Sequence, residues 1–194
     1  MSISLAIRPT LIDRVVPKSL AADIALVIGG AALTAVAAQL TIPASPVPFT
    51  FQTLAVLLVG TVLGSVRGAL SMVTYLLAGL VLPVFADGAI GSAVLFGATG
   101  GYLFGFVIAS ALVGFLAERK WSSNVVTMVV SYILGSTIIY ALGVSVLALT
   151  VFGGDLAKAA AVGLYPFLLW DAIKAVIAAG LVPGAWALVK RVKS

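Results

Sequence analysis

Asp171 and Lys174 are the residues of this sequence whose types and spacing most directly suggest chemistry. They stand three apart inside an otherwise apolar stretch that runs from Tyr165 to about Val189, and an i, i+3 spacing puts two helical side chains on one face. An ionisable side chain in hydrocarbon costs a few kcal/mol by insertion scales, so such a pair marks a candidate site. Two readings are open at this point: a structural ion pair that neutralises itself, or an acceptor and a donor facing a pocket. If the helix begins near Pro166, Asp171 lies about five residues, roughly 7–8 Å, along it. That depth is close to the outward end and to the helix N-terminus, where the dipole favours an anion, and it favours a pocket.

Three other segments carry candidate groups. Gly97-Ala98-Thr99-Gly100-Gly101-Tyr102, followed by Gly105, opens an apolar run. Gly100 and Gly101 permit close approach of backbone or ligand, Thr99 offers a hydroxyl, and Tyr102 offers an amphipathic ring. Close helix packing through small residues is the competing explanation. The segment lacks the Gly-Lys-Ser/Thr ending of a phosphate-binding loop, so ATP hydrolysis is not expected in this chain. Pro43 to Thr53 reads either as a loop stiffened by proline or as a lid in which Phe49 and Phe51 cover a ligand while Thr50 or Gln52 hydrogen-bonds it. In the first apolar run, Ala21, Ala25 and Gly29, then Ala31 and Ala35, form small-residue stripes that serve bundle packing or docking onto another membrane subunit.

The elements that must hold these groups are membrane helices. Apolar residues make up 62% of the 194 positions and charged residues 9%, against roughly 45–50% and 25% in soluble domains, so the bilayer is the main solvent. Apolar runs extend from Ala21 to about Leu40, from about Ser92 to Ala117 and from about Val125 to Phe152. Thr50 to Phe85 is too long for one crossing and is broken at Gly64-Ser65-Val66-Arg67-Gly68, which predicts a helical hairpin. With the final helix, six crossings are expected at about 20 residues each: an all-α membrane protein whose single transmembrane domain, residues 21–190, lies between a lead-in, residues 1–20, and a short tail, residues 191–194. A short interfacial helix fits the lead-in. Nine of the 11 lysines and arginines fall on the side of the two termini, Lys158 falls opposite, and Lys174 is within a span. The positive-inside rule then places both termini in the cytoplasm of a multi-pass inner-membrane protein. The segments Pro43–Phe49, Val84–Gly91 and Gly153–Leu164 are expected to face outward.

Several function classes drop away. The sequence has no cysteine and no histidine, which removes disulfides, thiolate nucleophiles, imidazole relays and the usual haem and zinc sites. One Asp and one Lys are too few for an intramembrane enzyme. The net charge of +5 sits at segment ends, where it reads as topology and not as a nucleic-acid surface. A basic stretch, an apolar run and Ala35-Val36-Ala37 imitate a secretory signal, but the leading 20 residues are long for one and further spans follow, so the run is expected to remain as the first helix. No internal repeat of the kind common in secondary carriers stands out.

Five segments in order resemble the BioY family, the biotin-specific S components of energy-coupling factor transporters, over about residues 20 to 190. They are Pro46-Val47-Pro48-Phe49-Thr50-Phe51-Gln52-Thr53-Leu54-Ala55-Val56-Leu57, Leu82-Pro83-Val84-Phe85-Ala86, Gly97 to Phe106, Leu116-Ala117-Glu118-Arg119 and Asp171-Ala172-Ile173-Lys174-Ala175. The chain departs from the family's pattern where Ala98 replaces a proline and where Leu169-Trp170 precedes Asp171 in place of Pro-Gly, which extends the last helix outward. The resemblance implies a six-helix bundle with an outward vitamin pocket. It implies as partners a transmembrane coupling protein and two ABC-type ATPases, with biotin as the transported ligand and no resident cofactor. Asp171 would accept from the ureido N–H groups and Lys174 donate to the ureido carbonyl; in a competing assignment Lys174 pairs with the valerate carboxylate. Residues 99–102 and 49–52 would supply walls and further polar contacts. Some members of the family occur without dedicated partners, so a self-sufficient carrier is the alternative.

Overall fold

The computed structural model describes residues 10–17, 19–174 and 176. Arg8, Lys18, Ala175, the expected continuation of the last helix to Val189, and Lys190, Arg191 and Lys193 lie outside the described residues.

The chain forms helices α1 (Leu20–Gln39), α2 (Gln52–Leu63), α3 (Ser65–Gly79), α4 (Ser92–Leu95), α5 (Gly100–Ala117), α6 (Val125–Val151) and α7 (Leu156–Gly163), followed by α8 (Tyr165–Lys174). A two-stranded antiparallel ladder, β1 (Thr41–Ile42) with β2 (Phe49–Thr50), pairs Thr41 with Thr50 and Ile42 with Phe49. Side-chain caps fix several helix starts: the Ser19 hydroxyl accepts from Ala22 N–H, the Asn124 carboxamide oxygen from Val126 and Thr127 N–H, and the Asp155 carboxylate from Lys158 N–H. Each cap satisfies amides that a first helical turn leaves without a partner.

α1, α5 and α6 are long and apolar enough to cross a membrane, and α7 with α8 passes the same test as one span bent by 40°. α2 and α3 are 12 and 15 residues long. The outer faces of the long helices suit lipid: Ile24, Ile28 and Val36 on α1 and Val126, Ile133 and Leu149 on α6 are exposed. Hydroxyls within the helices turn back onto the preceding turn, Thr34 onto Gly30 C=O, Thr61 onto Leu57 C=O, Ser71 onto Arg67 C=O and Ser131 onto Thr127 C=O. Such bonding keeps a donor satisfied where water is absent.

α5 is the central post, packed by α6, α2 and α3. Close approach at its middle needs glycine: a Cβ at Gly60 would overlap the Ser110 carbonyl oxygen, and one at Gly68 would meet the Ser110 hydroxyl at 2.7 Å. The end of the bundle where α2 turns into α3 is closed by buried charge. Gly64 makes the turn at φ +91°, and the Glu118 carboxylate accepts from Ser65 N–H and Oγ, both at 2.7 Å. The Arg67 guanidinium, 2% exposed, bridges Asp13 at 2.9 Å and Asp23 at 2.7 Å. Arg67 is therefore an interior ion-cluster residue and not a loop charge. The lead-in supplies its Asp13 from a 3-10 turn at Ile12–Arg14. Burial opposes the charge on Asp13, but the Thr10 amide, the guanidinium and the Thr10 hydroxyl outweigh it and hold the carboxyl below its usual value.

Several expectations are corrected. The run from Ser92 to Ala117 is not one helix: α4 stops at Leu95 and α5 restarts at Gly100, because the chain doubles back until the Leu95 carbonyl occupies the space a Cβ at Gly100 would need. Residues 156–163, read as part of an outer loop, form α7, started by the Asp155 cap. The two small-residue stripes of α1 part company. Ala21, Ala25 and Gly29 are exposed, whereas Ala31 is buried and Ala35 half-buried, since the two-residue step from Gly29 to Ala31 turns roughly 200° around a helix. α8 runs from Tyr165 to Lys174 and includes Leu169 and Trp170.

Candidate functional site

The starts of α2 and α5, the loops that precede them, α4, the middle of α6 and α8 line a cavity of about 290 Å³, near the lower end of small-molecule sites, which run roughly 300–1,000 Å³. Pro46, Val47 and Pro48 close one side, the loop residues Phe85, Ala86 and Ala89 a second, and Thr99, Tyr102, Leu103 and Phe106 a third. Tyr140 of α6 and Phe167 and Lys174 of α8 complete it, with Thr50, Gln52 and Thr53 at the start of α2. Apolar walls with a few convergent polar groups suit a compact, mostly hydrophobic ligand carrying a small polar end. Lys174 is the one charged side chain on the wall among the described residues.

The ammonium of Lys174 makes three hydrogen bonds, to Thr50 C=O at 2.8 Å, to Thr53 Oγ1 at 2.8 Å and to Asp171 Oδ1 at 2.9 Å. Asp171 also accepts from Thr53 Oγ1 at 3.2 Å and from the Tyr140 hydroxyl at 2.6 Å. Lys174 and Asp171 are nearly buried, with side chains 11% and 12% exposed. A pair so desolvated is stable only when its remaining donors and lone pairs are also used, and Thr53 and Tyr140 use them. The i, i+3 spacing brings the two charges together as expected, but Lys174 reaches the cavity wall while Asp171 lies behind it, bordering two neighbouring crevices instead.

The other expected residues divide similarly. Thr50 and Gln52 reach the wall. Gln52 N–H donates to the Thr50 hydroxyl, that hydroxyl donates to Gln52 Oε1, and Gln52 Nε2 donates to the Tyr75 hydroxyl at 2.8 Å. Tyr75 passes the chain on to Val84 C=O at 3.1 Å, so the start of α2 and the loop after α3 are tied together beside the cavity. Phe49 does not line the cavity but stacks on Phe167, centroids 4.2 Å apart at 22°; Phe51 is exposed, its ring 6.0 Å from Lys174 Nζ. Thr99 and Tyr102 line the wall. Gly100 and Gly101 do not, because the first abuts Leu95 and the second Leu142 and Val146.

Thr53, Tyr75, Phe85, Tyr140 and Phe167 are site residues that spacing did not single out. Tyr140, with Tyr132 one of two tyrosines in a 27-residue apolar helix, carried a usable signal, because a buried phenol needs a partner. Phe85 is wedged over Gly79 and meets Tyr75 edge-on at 5.6 Å, a contact without a sequence pattern.

Comparison with known proteins bears on the fold and the family. A solved S-component for biotin from an ECF-type ABC transporter superposes with a TM-score of 0.73 at 23% identity, covering 89% of this chain and 91% of the other; at that identity the likeness concerns the fold. The biotin transporter BioY of Thermotoga maritima is 48% identical over 149 residues, 76% of this chain and 86% of the relative. The biotin transporter BioY of Rhizobium etli is 38% identical over 142 residues, 69% and 75% of the two chains. The sequence pattern of the BioY family matches residues 9–191, and this chain belongs to the BioY family.

Proposed function

We infer that this chain takes up biotin as the substrate-binding subunit of an energy-coupling-factor importer, and that it is a transport protein and not an enzyme. The observation that carries the reading at the level of chemistry is the cavity beside Lys174: small, largely apolar, and provided with one cation and several neutral hydrogen-bonding groups. Biotin matches that lining, with an apolar fused ring, a ureido group offering two N–H donors and one carbonyl, and a valerate carboxylate.

In this reading Lys174 donates to the ureido carbonyl in exchange for its bond to Thr50 C=O or Thr53 Oγ1, and Thr50, Gln52 and Thr99 supply further polar contacts. Asp171 acts chiefly as the counter-ion that holds Lys174, and it accepts from a ureido N–H only where Thr53 or Tyr140 yields its bond. The Phe49–Phe167 stack and the prolines of the 43–48 segment cover the ligand. The alternative, with the valerate carboxylate on Lys174, makes a different prediction for uncharged biotin derivatives, developed below.

We propose six crossings with both termini cytoplasmic in a bacterial inner membrane. In support, the α2–α3 hairpin adds the short apolar helix α2 and the 15-residue α3 to the three long helices and the bent pair, and the cavity lies at the end opposite the ion cluster. A transmembrane coupling protein and two ABC-type ATPases are the proposed partners, with the exposed Ala21, Ala25 and Gly29 face of α1 as the docking surface. Reconstitution tests this. Liposomes holding the chain alone should bind biotin without accumulating it, and accumulation should need the coupling protein, the ATPases and ATP. Sustained accumulation by the chain alone without ATP would instead establish a self-sufficient carrier.

A further inference from the structure

Residues 156–174 do not continue as one helix, and the break raises a backbone problem. α7 ends at Gly163 and α8 starts at Tyr165, bent by 40°. In an unbroken helix Phe167 N–H would donate to Gly163 C=O, four residues back; here it donates to Leu164 C=O at 2.9 Å. Gly163 C=O is thereby released, at a buried position. A carbonyl freed inside a membrane protein must find another donor, and it finds one on a different helix: the Tyr102 hydroxyl donates to it at 2.8 Å.

The surrounding packing is shaped to this contact. A Cβ at Gly163 would overlap the Tyr102 hydroxyl, and one at Gly143 would overlap the Tyr102 ring. Glycine on α6 and on α7 thus lets the phenol pass between them. Past the break, α8 presents Phe167 and Lys174 to the cavity and Asp171 behind it. The orientation of all three follows from the bend.

We propose that the Tyr102 hydroxyl is a positioning group: it takes the place of the missing helical hydrogen bond at Gly163, fixes the bend between α7 and α8, and so places Lys174 and Asp171. Its ring is cavity wall and its hydroxyl is not a ligand contact. The inference rests on the reading of the cavity as the biotin site, and the test separates the two.

The sequence has no cysteine, so Leu149→Cys on α6 and Leu169→Cys on α8, positions 73% and 71% exposed, accept spin labels cleanly. Tyr102→Phe keeps the ring. It should shift or broaden the label-to-label distance distribution in the absence of biotin, and weaken biotin binding about tenfold, the scale of one buried acceptor left unsatisfied. Gly163→Ala, whose Cβ would displace the hydroxyl while residue 102 stays tyrosine, should do both, and it carries the test if Tyr102→Phe does not fold. In an Asp171→Asn background the Tyr102→Phe loss should fall below about threefold, because both changes act through the same ammonium. An unchanged distance distribution overturns the proposal, and with weakened binding it makes the hydroxyl a ligand contact. A moved α8 with unchanged affinity overturns the link to the site. If the unaltered protein fails to bind biotin, the functional reading falls, while the distances still decide whether the hydroxyl holds the bend.

Discussion

Asp171→Asn is the substitution whose outcome follows most closely from the geometry. Asparagine keeps the shape: its Oδ1 can still accept from Thr53 and Lys174, and its amide can donate to the Tyr140 oxygen in place of the bond Tyr140 now donates at 2.6 Å. What disappears is the negative charge 2.9 Å from the Lys174 ammonium, in a pair 11% and 12% exposed. Removing one partner of a buried pair leaves an uncompensated charge, at about 3–5 kcal/mol. If half of that falls on the ligand-binding arrangement, biotin affinity drops on the order of 10–100-fold, since 1.4 kcal/mol is about a factor of ten. Calorimetric titration with biotin and with its uncharged carboxamide reads this out. A ureido contact at Lys174 predicts that both ligands weaken alike. A carboxylate contact predicts that biotin, now the only counter-ion, holds its affinity while the carboxamide loses more. Affinities within about threefold of the unaltered protein for both ligands would refute the claim that the charge on Asp171 organises the site.

Further outcomes follow from other contacts. Arg67→Ala leaves Asp13 and Asp23 buried without their shared cation and should cost about 3–5 kcal/mol of stability, seen as a lowered thermal midpoint in detergent. Asp13 has a folded pKa below its usual 3.8, so its contribution is complete above that value and is lost as pH falls through the lowered one. Asp13→Asn should therefore flatten the acid limb of a stability–pH curve. Gly60→Val drives a side chain into the Ser110 carbonyl and should destabilise by about 1–3 kcal/mol or more, while the protein that remains folded binds biotin normally. Phe49→Leu removes the stack on Phe167, worth about 0.5–1.5 kcal/mol, and should speed biotin release roughly two- to tenfold in a chase experiment.

How legible each part was depended on how local its cause is. α1 and α6 could be read almost to the residue because each is one long apolar run, broken by charge only at Asp23 in the first turn of α1, with a polar cap before it, Ser19 and Asn124. The break between α4 and α5 was hidden because Gly97, Gly100 and Gly101 are equally good packing residues within a helix, and only contact with Leu95 shows which role they take. α7 escaped because its signal, the Asp155 cap, stands between paired glycines and a run of alanines that lacks the length of a span. Within the site, Lys174 and Asp171 announce themselves as charges in an apolar segment. Their partners do not: Thr53 meets Asp171 across 118 positions and Tyr140 meets it across 31. Ordinary spacing likewise could not foresee that Asp171 would lie behind Lys174, because i, i+3 puts both on one face without saying which reaches the cavity.

In the proposed function, the cavity walled by Thr50, Gln52, Tyr102, Tyr140, Phe167 and Lys174 is a selective biotin site. Equilibrium binding to the purified, detergent-solubilised protein tests it most directly, with desthiobiotin, thiamine and riboflavin titrated alongside. One saturable biotin site is expected, which excludes thiamine and riboflavin and is weakened by Lys174→Ala. A folded protein that binds none of them, or that binds biotin unchanged after Lys174→Ala, would contradict it.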